Sequence, residues 1–172
     1  MKTILVTGSS RGIGKDTCIS LAKKGHRVYA CSRKNINIPG CTSLILDPGD
    51  SDSIKNLKDY FKKKVIKIDG LVNNAGLLVN KPFLEISEMD FKNMAQVNWV
   101  GPALLIQNLF PILNRGGHVV NISSMGGFQG SEKFPGLAGY SASKSALVAL
   151  TECLQVELGG EDATFNALCL GA

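Results

Sequence analysis

The chain has 172 residues, 44% of them hydrophobic, and a formal net charge of +5. That length favours one domain over 1–172 with enough chain to bury a core, and the composition excludes fibrous, collagen-like and disordered classes. Apolar runs such as Leu104–Ile106 and Val148–Leu150 fall far short of the roughly 20 residues of a membrane span, and Gly8 ends the N-terminal apolar stretch too early for a signal peptide, so a cytoplasmic protein without a membrane partner is expected.

Hydrophobic periodicity predicts strands and helices in alternation. Thr3–Thr7 is an apolar, β-branched run that reads as a strand. Gly12–Lys24 has helical spacing through Ile13, Cys18, Leu21 and Ala22, and Gly25 stands where a helix C-cap belongs. Arg27–Ser32 and Thr42–Leu46 read as strands two and three, and Ser51–Lys63 as a helix capped by Asp50 or Ser51. Asp69–Asn73 reads as strand four. Glu88–Leu113 is helical sequence, with Gly101-Pro102 expected to interrupt it. His118–Ser123, Tyr140–Leu158 and Thr164–Leu168 complete the pattern as strand, long helix and sixth strand. Such alternation implies an α/β fold, a doubly wound parallel sheet with helices on both faces. Sheets of this kind bind ligands at the carboxyl ends of their strands, where the strand order reverses.

The charge raises the question of nucleic acid. The densest basic run, Lys62-Lys63-Lys64 with Lys67, is placed to end a helix, where cations complement the dipole. No aromatic residues interleave with it to form a stacking platform, so no nucleic-acid partner is expected. The five cysteines (Cys18, Cys31, Cys41, Cys153 and Cys169) have wide, irregular spacing without a C-x-x-C pair. They read as buried, reduced filler rather than metal ligands. His26 and His118 read as surface residues at strand starts, and no metal site is expected.

Thr7-Gly8-Ser9-Ser10-Arg11-Gly12-Ile13-Gly14 joins the first strand to the first helix. Glycines at this spacing let backbone N–H groups approach a pyrophosphate at a helix N-terminus. Further on stand Asn73-Asn74-Ala75-Gly76, Asn98, Ser124 and Tyr140-x-x-x-Lys144. Together, in this order and spacing, these motifs resemble the short-chain dehydrogenase/reductase family over essentially the whole chain. The resemblance implies a Rossmann fold with six of the family's seven strands present. It implies an NAD(P)(H)-dependent oxidoreductase and a cofactor site that includes Gly8, Ser10, Arg11, Gly12, Ile13, Gly14, Asn74, Ala75 and Gly76.

The end of the second strand bears on which nicotinamide cofactor binds. An acidic residue there hydrogen-bonds a ribose 2′-OH and repels a 2′-phosphate, whereas arginine accepts the phosphate. The sequence reads Ala30-Cys31-Ser32-Arg33-Lys34, with Arg11 in the glycine-rich loop. Ser32, Arg33 and Arg11 therefore favour NADP(H) over NAD(H). The alternative for Arg33 and Lys34 is a pair of solvated loop charges. Asp47 resembles the family's adenine-contacting aspartate and equally suits capping the Pro48-Gly49 turn.

Tyr140 and Lys144, four residues apart on a helix, share one face. A tyrosine has an ordinary pKa near 10. A neighbouring ammonium and an oxidised nicotinamide would each favour its phenolate, as acid–base catalysis requires. By resemblance Tyr140 exchanges a proton with a carbonyl or alcohol oxygen, and Ser124 hydrogen-bonds that oxygen. Lys144 holds the nicotinamide ribose, and Asn98 bends its helix and holds a water linked to Lys144. Asn98 also suits an ordinary helix-breaking role. Ser123 and Ser124 face opposite ways on a strand, and the family pattern selects Ser124.

The glycine-rich stretch from Met125 to Gly139 is too long for a simple connector. It reads either as mobile surface or as an apolar pocket wall in which Met125, Phe128 and Phe134 join Leu77 and Leu78, hinting at a lipophilic or acyl-chain ketone among small-molecule ketone or alcohol substrates. Asn166–Ala172 resembles the sixth strand and the start of the family's Pro-Gly turn, with Leu170 where proline is usual. The family's substrate-covering segment and seventh strand would follow, so the chain reads as incomplete or shortened. The apolar helices Trp99–Leu113 and Tyr140–Leu158 suggest a homodimer or homotetramer. The alternatives to a working NADP(H) enzyme are a catalytically idle NADP-binding sensor or scaffold, and an NAD-dependent alcohol dehydrogenase.

Overall fold

The computed structural model describes residues 1–171, so Ala172, the last residue of the expected turn, lies outside the described residues. Six strands, β1 (Thr3–Thr7), β2 (Arg27–Ser32), β3 (Cys41–Ile45), β4 (Ile68–Asn73), β5 (Leu113–Ser124) and β6 (Ala163–Leu170), form one sheet. They are parallel throughout, in the order β3-β2-β1-β4-β5-β6. The chain winds outward from β1 to β3, then crosses back to place β4 on the other side of β1. The switch point therefore lies between the carboxyl ends of β1 and β4, as the Rossmann arrangement requires.

Five α-helices connect the strands: α1 (Gly12–Lys23), α2 (Ser51–Lys63), α3 (Glu88–Ala95), α4 (Gly101–Leu109) and α5 (Ala138–Leu158). None among the described residues is long and apolar enough to cross a membrane. Leu5 and Val6, adjacent in β1, turn to opposite faces and seed two cores. On one face Leu5 joins Ile54, Leu57 and Phe61 of α2 and Leu105 and Leu109 of α4, with Leu154 and Leu158 of α5 packed against them. On the other, Val6 meets Cys18 of α1 together with Val28 and Ala30. Burying each such side chain contributes about 1.5–3 kcal/mol. Phe61 stands edge-on to Tyr29 at 4.9 Å between ring centroids.

Local signals set the helix ends. Asp50 caps α2 by accepting from the Asp52 N–H, while Lys62 and Lys63 occupy the last turn. Ser87 and Asp90 close a capping box around the start of α3. The cap of α1 is Lys24, and Gly25 follows at φ +78°, one position beyond the cap expected of it.

Gly101-Pro102 does not interrupt the helical run. The irregularity lies just before it, in the π-turn Gln96–Val100, and Pro102 follows in the first turn of α4. A methyl group on Gly101 would lie 2.3 Å from the Pro48 carbonyl oxygen, so the turn after β3 fixes where α4 begins. The cysteine expectation holds for Cys18 and Cys31, which are buried. Cys153 is exposed on α5, because its helical position turns it away from the sheet, and Cys41 and Cys169 are half-buried.

Candidate active site

The loop from β1 to α1 is fixed from below. Ser9, fully buried, donates from its hydroxyl to the Val6 carbonyl at 2.7 Å, and its N–H reaches the Cys31 carbonyl at 3.0 Å. Asn74, just past β4, donates its side-chain amide to the carbonyls of Thr7 (3.0 Å) and Gly8 (3.1 Å). Thr7 returns the connection, its Oγ1 accepting from the N–H groups of Asn74 and Ala75. Gly8 adopts φ +67°, and a methyl there would stand 2.7 Å from the Ala75 Cα. Gly14 is equally confined, 2.5 Å from the Gly8 carbonyl oxygen by the same measure. It faces inward and keeps the helix close to the strands, whereas space around Gly12 is open.

Above this stitched junction lies a cleft of about 420 Å³ at the carboxyl ends of β1 to β4. Of the residues expected to hold a cofactor, Gly8, Ser10, Arg11, Gly12, Ile13, Ser32, Arg33, Asp47, Asn74, Ala75 and Gly76 line it, and Gly14, Tyr140 and Lys144 do not. Leu77, suggested as a pocket residue, lines it too, as do Leu46, Pro48 and Val97, for which the sequence suggested no part in a pocket. Apolar residues at strand ends carry no motif, so only position along the sheet could have suggested Leu46. Arg11 and Arg33 are exposed, and neither has a carboxylate partner among the described residues. Ser32 turns its hydroxyl onto the Lys34 carbonyl, shaping the turn that presents Arg33. Asp47 Oδ1 accepts from the Gly49 N–H at 2.9 Å, so its carboxylate caps the turn while lining the cleft.

At its inner end the cleft meets the second set of residues. A methyl on Gly76 would sit 3.5 Å from both Lys144 Nζ and Asn98 Oδ1. Asn98, fully buried in the π-turn, pairs with both backbone polar groups of Leu77. Its Oδ1 accepts from the Leu77 N–H at 2.7 Å, and its Nδ2 donates to the Leu77 carbonyl at 2.8 Å. The remaining Nδ2 hydrogen goes to Ser143 Oγ, also at 2.8 Å. Both Nδ2 hydrogens are thereby spent on protein, while Oδ1 keeps a second lone pair.

Lys144 is 3% exposed, and Nζ donates to the Ile122 carbonyl at 2.7 Å. Burial lowers its pKa to about 8. The ammonium lies 5.8 Å from the Tyr140 ring centroid. Burial raises the Tyr140 phenol, an effect partly offset by the adjacent Ser124 hydroxyl. Desolvation of the phenol outweighs that bond, and the Lys144 ammonium is engaged by the Ile122 carbonyl of β5. Ser123 and Ser124 do differ in direction: Ser123 Oγ donates to the Lys144 carbonyl at 3.0 Å, and Ser124 Oγ accepts from the Gly126 N–H near Tyr140.

The stretch after β5 does not make one apolar wall. Phe134 lines a cavity with Pro82 and Phe83 beside the start of α5, while Phe128 lines another between α5 and β6. Leu77 alone of the five suggested residues lines the main cleft, and Met125, Phe128, Phe134 and Leu78 are substantially exposed. Polar contacts order the loop: Lys133 Nζ donates to the Gly126 and Phe128 carbonyls, and Ser131 Oγ to that of Phe128.

A family profile described as short chain dehydrogenase matches residues 2–172. The chain is 33% identical to a 3-oxoacyl-[acyl-carrier-protein] reductase FabG of Thermotoga maritima, with 99% of this chain and 73% of that protein aligned. It is 37% identical to an L-xylulose reductase of Caenorhabditis elegans, over 97% of this chain and 70% of that protein. Among solved structures, 4-hydroxyisoleucine dehydrogenase complexed with NADH superposes with a TM-score of 0.89 at 29% identity, covering 98% of this chain and 74% of that one. The aldohexose dehydrogenase of Thermoplasma acidophilum, in ligand-free form, gives 0.90 at 25% identity, covering 99% and 66%.

Proposed function

The chain belongs to the short-chain dehydrogenase/reductase family, and from that premise we propose that it transfers a hydride between NADP(H) and a carbonyl or alcohol substrate, with Tyr140 as the proton donor and acceptor. One observation carries the reading. The glycine-lined cleft ends at Gly76, within a methyl group's reach of Lys144 Nζ, and Lys144 lies one helical turn from Tyr140 on α5.

The residues present fit a dinucleotide. Gly8 and Gly14 let the loop lie flat on the ends of β1 and β4, leaving the open backbone around Gly12 for phosphate oxygens. Arg11 and Arg33 suit a 2′-phosphate at the outer end, and no carboxylate follows Ser32 to repel it. Leu46, Pro48 and Val97 offer apolar surface to a ring. The nicotinamide, when bound, supplies or accepts the hydride. Tyr140 holds a proton at its phenol oxygen, and burial keeps it protonated in the free protein, the form needed to deliver that proton to a carbonyl oxygen. Ser124 aligns the same oxygen by hydrogen bonding. Lys144 would hold ribose hydroxyls and add positive charge beside the phenol. The proposed setting is the cytoplasm, and the proposed assembly is a dimer or tetramer through α4 and α5, where Cys153 and Val156 stand exposed.

A second reading, NAD(H) in place of NADP(H), draws support from the similarity to a dehydrogenase complexed with NADH. A panel of ketones and alcohols assayed with both cofactors tests both readings. NADPH oxidation by at least one ketone, outpacing NADH, is expected. Tight NADPH binding with no turnover anywhere in the panel would instead indicate an idle sensor or scaffold.

A further inference from the structure

We propose that Ser143 is a positioning residue that fixes Tyr140 relative to the cleft. The inference rests on the reading of Tyr140 as proton donor and adds a residue outside that chemistry. Ser143 is 6% exposed and points into the junction between α5 and the π-turn. Its hydroxyl accepts from Asn98 Nδ2 at 2.8 Å and donates to the Tyr140 carbonyl at 2.7 Å.

These two bonds have defined directions. An amide N–H can only donate, so the Asn98 contact occupies a lone pair of Ser143 Oγ and leaves its single hydrogen for the Tyr140 carbonyl. Asn98 in turn is locked to the backbone N–H and carbonyl of Leu77, and Leu77 lines the cleft. A buried chain of hydrogen bonds therefore runs from the cleft wall, through Asn98 and Ser143, to the backbone of the residue whose phenol must meet the substrate.

Other contacts hold the rest of α5. Ser123 donates to the Lys144 carbonyl, and Ser145 donates to the Gly127 carbonyl at 2.7 Å. Removing the Ser143 hydroxyl should therefore leave the helix docked while freeing its first turn. Small misplacements of a reacting group can cost up to about a hundredfold in rate.

The test uses full-length protein with ring-labelled [13Cζ]tyrosine, comparing wild type, Ser143→Ala and Ser143→Thr with and without NADP+. There are three tyrosines, and Tyr29 of β2 and Tyr60 of α2 pack together, so they serve as internal controls. In Ser143→Ala the Tyr140 resonance and its titration should move while the controls stay fixed, and Ser143→Thr should recover much of the wild-type signal. Turnover of Ser143→Ala should fall by about tenfold or more, NADPH affinity should hold within about twofold, and the isotope effect from deuterated NADPH should not diminish. An unchanged Tyr140 resonance and titration in Ser143→Ala would overturn the proposal. So would a rate loss that merely tracks lost NADPH-binding sites with an unaltered isotope effect. If wild type reduces no ketone, the enzymatic reading fails separately, and the resonance comparison still decides whether Ser143 places the phenol.

Discussion

Ser123 and Lys144 clasp the end of β5 to α5 in both directions. The serine hydroxyl donates to the lysine's carbonyl, and the lysine's ammonium donates to the carbonyl of Ile122, the residue before that serine. The clasp keeps a cation almost out of contact with water, which shapes both stability and pH response.

Folding lowers the Lys144 pKa to about 8, beneath the ordinary lysine value. Between those two pH values the unfolded chain binds more protons, so stability should rise with pH across that window. At neutral pH the charge is present and its burial is unfavourable. Lys144→Met should therefore stabilise the protein by about 1–2 kcal/mol at pH 7 while abolishing turnover. Guanidinium denaturation at pH 7 measures this, and a less stable variant would contradict it. For the wild type, kcat/KM for ketone reduction should decline as pH rises through about 8 and the ammonium discharges.

Tyr140→Phe should reduce turnover by about 10²–10⁴-fold or more, because the proton loses its carrier. NADPH binding should persist, since the phenol does not line the main cleft. Fluorescence titration of NADPH beside steady-state assays separates the two effects. Comparable turnover in both proteins would remove Tyr140 from the mechanism.

Arg33→Ala should weaken NADPH binding by about tenfold, the scale of one charge-assisted hydrogen bond, while leaving NADH nearly unchanged. The loss should shrink at high salt, because the guanidinium is exposed. Calorimetric titration with both cofactors provides the check. Equal losses for both cofactors would mean that Arg33 does not read the phosphate.

Asn98→Ala strips partners from the Leu77 N–H, the Leu77 carbonyl and Ser143 at once, all at a buried site. Leaving such groups unmatched should cost about 2–4 kcal/mol. A denaturation curve with an unshifted midpoint would show that water replaces the amide without cost.

Strand and helix order were legible from Thr3 to Leu170 because burial on both faces of a parallel sheet writes continuous apolar runs, and helical segments such as Ser51–Lys63 write a 3.6-residue stripe. The glycine-rich loop, Asn74 and the Tyr140/Lys144 pair were also visible, since each is a local arrangement of unusual residue types. Tertiary structure alone decided the rest. It made Gly14 a packing glycine rather than a cleft residue, and of the two irregularities expected in the Glu88–Leu113 run it kept the one at Asn98, as a π-turn, and not the one at Gly101-Pro102. It scattered Phe128 and Phe134 to separate cavities and brought Ser143 between Asn98 and the Tyr140 backbone. The reason is physical: periodicity reports which side of an element is buried, whereas a hydrogen bond between residues 45 positions apart depends on how two elements are set against each other. That setting is a property of the whole packed sheet.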